Sequence, residues 1–303
     1  MRIIHSVKQM QNFSQRAHQA GKTIGFVPTM GALHAGHASL LRKCQQENDI
    51  SVLSIFVNPA QFGPNEDFHK YPRPVKKDVL LAKKEKVDII LNPSVDQMYP
   101  GAEMPSLKNK AKKAFQPGLC PTGYLTSVHL GEITERLCGK SRPGHFDGVA
   151  TVVAKLLNIV SPDTLYLGEK DAQQVVVLKR MIHDLNFSVN VKVCPTIREL
   201  NGLALSSRNQ YLTDEQRRQS SVLYQALQMA RKAIKAGERS AAKIERMMAA
   251  HIRRVKPTAI EYIHCVHPQT LSPMKALTGT ILIVLAVKIG NARLIDNITV
   301  TLR

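Results

Sequence analysis

Tryptophan is absent, and aromatic residues make up only 5% of the 303 positions. A surface that stacks successive bases needs interleaved aromatics, so a single-strand nucleic-acid platform is disfavoured. Cysteine is sparse as well. Its five copies (Cys44, Cys120, Cys138, Cys194, Cys265) are odd in number, and no pair has the spacing of a zinc knuckle or a redox motif. A reducing cytoplasm is the simplest setting for such a chain. No apolar run reaches the roughly 20 residues needed to cross a bilayer, so no membrane segment is expected. The N-terminal MRIIHSVKQMQNFSQRAHQAG lacks the uninterrupted apolar core of a signal peptide and reads as a short strand plus an amphipathic helix. Acidic charge is the minority sign: 23 Asp plus Glu face 42 Lys plus Arg, a formal net charge of +19. Such an excess suits nucleic acid or anionic small substrates, or is merely general basicity. The positive residues are spread along the chain, apart from clusters at Lys108–Lys113 and Arg253–Lys256.

What is present is alternation. Apolar runs at Thr23–Val27, Ile50–Val57, Val87–Leu91, Thr164–Leu167 and Val189–Val193 are separated by helical patterns near 7–20, 37–48, 74–86, 131–140, 147–160 and 171–186. Continuous apolar strands between helices predict a parallel sheet covered on both faces. The right-handed crossover rule makes it a doubly wound, Rossmann-like α/β domain. It is expected over 1–194. The character changes after Cys194-Pro195. A long helix is expected from Thr213 to about Ala236, a second over 241–254, strands at Ala259–Val266 and Thr280–Val287, and a last short strand near 298–302. This predicts a smaller C-terminal α+β domain over 195–303.

The chain is organised around Phe26-Val27-Pro28-Thr29-Met30-Gly31-Ala32-Leu33-His34-Ala35-Gly36-His37. A strand breaks at Pro28 and Gly31 and gives way to a helix near Gly36. A helix N-terminus offers unpaired N–H groups and the positive end of a dipole, a ready phosphate site. His34 and His37, three apart, could donate to phosphate oxygens there; they could equally be partial metal ligands or surface residues. Three further stretches fit the same picture. Gln61 follows the second apolar strand, an amide suited to a carboxylate and a hydroxyl, or a loop residue capping its own backbone. Ser141-Arg142-Pro143-Gly144-His145-Phe146-Asp147-Gly148 is a turn into an apolar helix, where Arg142 could face an anion and Asp147 could cap the helix. Gly168-Glu169-Lys170-Asp171 repeats the strand–glycine–polar pattern, with Gln174 one turn on. Finally Leu205-Ser206-Ser207-Arg208 offers two hydroxyls and an arginine to phosphates.

His34-Ala35-Gly36-His37 in its strand–turn–helix setting resembles the signature of the adenylyl-transferring HIGH superfamily. The ordered set VPTMGALHAGH, SIFVNPAQF, YPR, SRPGHFDGV, GEKDAQQ, GLALSSRNQYL and ARLIDN further resembles the pantoate–β-alanine ligase family, mostly across residues 24–212. The resemblance implies two steps: pantoate attacks ATP to give pantoyl adenylate and pyrophosphate, and β-alanine then displaces AMP. It assigns Met30, Gly31, Ala32, Leu33, His34, Ala35, Gly36 and His37 to ATP, with His37 the proton donor and His34 and Lys170 on the phosphates. It also assigns Gly168, Glu169, Lys170 and Asp171, and Ile197 with Leu205, Ser206, Ser207 and Arg208, to ATP. Gln61 and Gln174 are assigned to pantoate. Mg²⁺ would accompany ATP on its phosphates, and Asp78 is the nearest candidate carboxylate. The resemblance further implies a homodimer in the cytoplasm, with no membrane and no specific nucleic-acid partner. A related nucleotidyltransferase for another acid, and an RNA-binding protein, are the competing readings. Between Tyr99 and Ser141 the chain is longer than the family pattern. The surplus, near 102–125, is basic and Pro/Gly-rich, and a surface excursion is expected there.

Overall fold

The computed structural model describes residues 1–63, 66, 68–101 and 124–302. The basic stretch Lys108–Lys113 and the stretch Pro117–Gly123 lie outside the described residues. The chain forms two compact units, one over Met1–Gly168 and Val177–Cys194, the other over Glu169–Val176 and Pro195–Arg303.

The first unit is built on six strands: β1 (Arg2–Ile4), β2 (Ile24–Thr29), β3 (Ile50–Ile55), β4 (Ile89–Leu91), β5 (Thr164–Gly168) and β6 (Asn190–Cys194). All pair parallel, in the order β1-β4-β3-β2-β5-β6. The helices are α1 (Val7–Gln19), α2 (Ala35–Glu47), α3 (Val75–Lys84), three single turns α4 (Val95–Met98), α5 (Glu132–Glu135) and α6 (Cys138–Ser141), then α7 (His145–Val160) and α8 (Ala172–Asp184), whose residues before Val177 group with the second unit. Strand residues project alternately to the two faces. Val27, Leu53, Ile90 and Tyr166 meet Leu40, Leu41 and Cys44 of α2 and Ala82 of α3 in one core. α1 packs on α7, and α7 on β2. A parallel sheet between helical layers is the expected doubly wound architecture. Its order reverses between β2 and β5, and in such sheets ligands bind beyond the carboxyl ends of the strands at that point.

Pro28, expected to break the strand, does not. It pairs with Ser54 inside β2, and the strand runs on to Thr29. The ladder to β5 covers only Gly25 and Phe26, so at Pro28 a missing N–H forfeits nothing on that side. Residues 131–140 form two separate turns rather than one helix.

In the second unit, α9 (Asp214–Gln219), α10 (Ser221–Lys235) and α11 (Ala241–Arg253) accompany an antiparallel sheet, β7 (Ala259–Val266), β8 (Thr280–Ile289) and β9 (Ala292–Thr301), with β8 central. Alternate residues Ile281, Ile283, Leu285 and Val287 of β8 pack against Leu223, Leu227 and Ile234 of α10 and Ile244, Met248 and Ile252 of α11. The long helix expected from Thr213 is broken at buried Ser220, whose hydroxyl bonds back to the Gln216 carbonyl at 2.6 Å. The last strand is ten residues, not a short one near 298–302, because Ala292–Asn297 already pairs with β8.

Candidate active site

β2 delivers the turn Met30–His34 at the reversal point of the sheet. Thr29 Oγ accepts the Gly31 N–H at 3.1 Å and donates to the Ser54 carbonyl at 2.7 Å. Gly31 (φ 81°) and Ala32 (φ 51°) both sit in left-handed backbone, uncommon for alanine. A carboxylate holds them there: buried Asp78 of α3 accepts from Ala32 N at 3.0 Å and from Leu33 N at 2.8 Å. Burial lifts the Asp78 carboxyl above its ordinary value, and the bonds from Leu33 and Ala32 pull it partly back. Both its oxygens are thus engaged by backbone, which does not suit the metal-ligand role considered for it. Among the described residues no three His, Cys, Asp or Glu side chains group as metal ligands.

His34 is the N-cap of α2, and its Nδ1 accepts from Gly36 N at 3.1 Å. His37 Nδ1 in turn accepts from His34 N at 3.3 Å, and the two rings lie 4.1 Å apart. Two histidines thereby form a reciprocal capping box, a role more familiar from Ser/Thr and Glu. Since each Nδ1 accepts, the proton of each neutral ring resides on Nε2. Both imidazoles are therefore set as Nε2–H donors at a helix N-terminus.

Gln61 is buried, its side chain donating to Met30 Sδ at 2.8 Å and accepting from Asn58 Nδ2 at 3.3 Å. This joins the amide to the β2 turn. Capping of the local 3-10 turn falls to Asn58, which accepts from Ala60 N at 3.3 Å, so Gln61 is not spent on its own backbone. Asn58 is itself fixed by Tyr99 Oη at 2.7 Å and by the Gly148 carbonyl at 3.0 Å. The SRPGHFDGV stretch is the buttress behind Gln61. His145 Nδ1 donates to the Gln61 carbonyl at 2.7 Å, and its Nε2 accepts from Arg142 at 2.9 Å. Arg142 forks onto Glu66 at 2.7 and 2.5 Å, so the anion it faces is internal. Burial raises the Glu66 carboxyl, but the bonds and charge of Arg142, with help from His145, outweigh it and leave the group below its ordinary value. Asp147 is not the cap of α7. Gly144 (φ 74°) occupies that position, and Asp147, in the first turn, pairs with His129 at 3.0 Å.

The second unit carries Glu169–Asp171 as a 3-10 turn, where Lys170 Nζ lies 3.5 Å from Asp171 Oδ1. Gln174 follows in α8. Ile197 and Leu205 are brought together by the Leu205 N–H to Ile197 carbonyl bond at 2.9 Å. Ser206 caps the turn Ser207–Tyr211 by accepting from Arg208 N at 3.3 Å. The described cysteines are all buried, and burial pushes the thiols of Cys44 and Cys265 up to about 12, which keeps them protonated and poor nucleophiles. Sequence reasoning missed Asp78's grip on the turn, His145, and Asn297, described below. The Gly148 and ARLIDN motifs were visible, but not what they do.

A doubly wound parallel sheet with a histidine-capped helix at its reversal point defines a Rossmann-like α/β protein of the switch-point-binding class. The comparisons narrow this. The profile of the family described as pantoate-beta-alanine ligase matches residues 2–299. The pantothenate synthetase of Caldicellulosiruptor bescii is 48% identical over 300 residues, covering 99% of both chains, and that of Thermotoga neapolitana is 46% identical over 98% of this chain and 99% of the other. The crystal structure of the pantothenate synthetase of Thermus thermophilus superposes with a TM-score of 0.86 at 40% identity, covering 98% of this chain and 99% of that one. The pantoate-beta-alanine ligase of Francisella tularensis, solved with beta-gamma ATP and beta-alanine, gives a TM-score of 0.73 at 36% identity, covering 98% of this chain and 97% of that one. The chain belongs to the pantoate–β-alanine ligase family and is an ATP-using ligase of pantoate and β-alanine.

Proposed function

We propose that the chain joins pantoate to β-alanine through a pantoyl adenylate, with its residues in the roles that the family motifs assign. The observation that carries this reading is the pair of imidazoles held through Nδ1 by backbone N–H groups at the N-terminus of α2. Pantoate's carboxylate attacks the α-phosphorus of ATP, and pyrophosphate leaves. His37 donates to the leaving phosphate oxygens, and His34 and Lys170 carry part of the developing charge. Met30 to His37 form the nucleotide-binding turn. Gly168 to Asp171 hold ribose and phosphates, and Ile197 with Leu205 to Arg208 complete the ATP contacts. Gln61 and Gln174 hold pantoate, Gln61 fixed by Met30, Asn58 and His145. β-Alanine's amine then attacks the acyl carbon, and AMP departs. No side chain forms a covalent intermediate, so the work is positioning and charge stabilisation.

Mg²⁺ would accompany ATP on its phosphates and neutralise charge there, in keeping with its preference for substrate phosphates over an all-protein cage. The donor set fits that arrangement, because both oxygens of Asp78 are occupied by backbone N–H groups. The four described cysteines are buried and free, in line with a cytoplasmic setting, and the family resemblance further implies a homodimer. The test of the histidine reading is His37→Ala. It is expected to keep its circular dichroism spectrum and to lose pantoate-dependent pyrophosphate release. Release at the parental rate would remove His37 from the mechanism.

A further inference from the structure

β9 carries two adjacent buried polar residues, Asp296 and Asn297, each 4% exposed, that the proposed chemistry does not use. Neighbouring residues of a strand project to opposite sides, and these two hold different segments. Asn297 Nδ2 donates to the Glu169 carbonyl at 3.0 Å and to the Lys170 carbonyl at 2.9 Å. Those carbonyls belong to the two peptide planes that flank the Lys170 Cα. One amide nitrogen thereby fixes both planes, and with them the backbone angles from which the lysine side chain springs. An amide supplies two N–H donors on one atom, which neither a hydroxyl nor a carboxylate does. A lysine stem is long and flexible, so fixing its root removes part of the conformational search.

Asp296 forks onto Arg198 at 2.6 and 2.9 Å. The same guanidinium donates to the Gly202 carbonyl at 3.1 Å and lies 4.0 Å over the Tyr224 ring. Arg198 bridges to Ala204 and so holds the loop leading into Leu205–Arg208. Asp296 Oδ1 also accepts the Asn297 N–H at 2.8 Å, which stiffens the link between the two anchors.

We infer that Asn297 is a positioning residue for adenylyl transfer: it aims Lys170 by pinning both flanking peptides, while Asp296 steadies the 198–208 loop from the same strand. The inference rests on the reading of Lys170 as a phosphate ligand. It requires that Asn297 matter only through Lys170.

The test is single-turnover pyrophosphate release from ATP and pantoate, without β-alanine, in the parent, Asn297→Ser, Asn297→Asp, Lys170→Ala and the Lys170→Ala/Asn297→Ser double variant. Asn297→Ser is expected to slow release by about tenfold to a hundredfold, as loss of a positioned group does. Asn297→Asp, which sets a carboxylate against two carbonyls, should be slower still. In the Lys170→Ala background the serine substitution should change the rate by less than about threefold, because residues acting through one another are non-additive. The same loss in both backgrounds, or Asn297→Ser at the parental rate, would overturn the inference. Lys170→Ala at the parental rate would instead overturn the reading of Lys170 beneath it. A serine or aspartate variant with no folded state would also contradict the inference, since a positioning role predicts lost rate in a folded protein.

Discussion

Replacing Gly148 by alanine tests whether the wall behind Gln61 is part of the pantoate site. A Cβ on Gly148 would run into the Ala60 carbonyl oxygen, and would lie 2.5 Å from the carbonyl carbon and 2.7 Å from Gln61 N. All three are backbone atoms, so no side chain can swing aside. α7 must move away from the 3-10 turn Pro59–Gln61, or the turn must yield. Relief takes a shift of about 1 Å, and a misplacement of that size in a positioning group is worth about 10²-fold in rate. Overpacking of this kind costs about 1–3 kcal/mol, which at about 2–4 °C per kcal/mol for a chain of this class lowers the thermal midpoint by about 2–12 °C. The assay is pantoate-dependent pyrophosphate release against pantoate concentration, read beside a melting curve. The expected outcome is a lower midpoint together with a large fall in kcat/KM for pantoate. A lowered midpoint with unchanged kcat/KM would refute the link from α7 to Gln61, and no change in either would refute the packing argument. Gly168→Ala is the control, because no described atom lies within 4 Å of its added Cβ. It should leave the midpoint in place while raising KM for ATP, where a ribose would meet the new methyl.

Two further outcomes follow from the charges. Asp78→Asn turns one of two backbone acceptors into a donor facing an N–H. A buried bond lost this way costs about 1–3 kcal/mol, so calorimetry should show a lower midpoint and nucleotide titration a weaker ATP affinity, while the Mg²⁺ dependence of activity stays as in the parent; a shifted Mg²⁺ requirement would restore Asp78 as a metal ligand. Glu66 has a folded-state pKa below its ordinary value of 4.5, so its contribution to stability is present above that value and is lost as acid takes the pH down through the folded pKa. The stability gap between the parent and Glu66→Gln should therefore narrow from neutral pH toward acid, and a gap that does not change with pH would show that the Arg142–Glu66 pair carries no net charge stabilisation.

How much the sequence disclosed depends on how local each cause is. Ile50–Ile55 was legible because six residues of nearly unbroken apolar character can only be a buried strand or a short buried helix, and the flanking helices decide for the strand. The α2 junction was legible because strand, glycine turn and His-x-Gly-His lie within a dozen residues. The Ser220 break was hidden, since a serine within an apolar helical pattern says nothing about whether its hydroxyl bonds back to the previous turn. Strand β9 was cut short because its polar members, Asp296 and Asn297, interrupt the apolar pattern, whereas both are buried by partners far off in sequence. Asp78 bonds Leu33 from 45 residues away, and Asn297 bonds Lys170 from 127 away. Such tethers leave no periodicity and no spacing to read. They become visible only when the fold brings the segments together. The SRPGHFDGV stretch is the mixed case. Its turn into an apolar helix was plain, but the glycine's role depends on the Ala60 carbonyl, and the arginine's on Glu66.

The central claim is that an acyl adenylate forms on pantoate before any amine is present. It is tested most directly by rapid-quench measurement of pyrophosphate released from ATP and Mg²⁺ by stoichiometric enzyme, with pantoate present and β-alanine absent. A pantoate-dependent burst approaching one equivalent per active site is the predicted result. Folded, ATP-binding enzyme that releases pyrophosphate only after β-alanine is added would contradict the adenylate route.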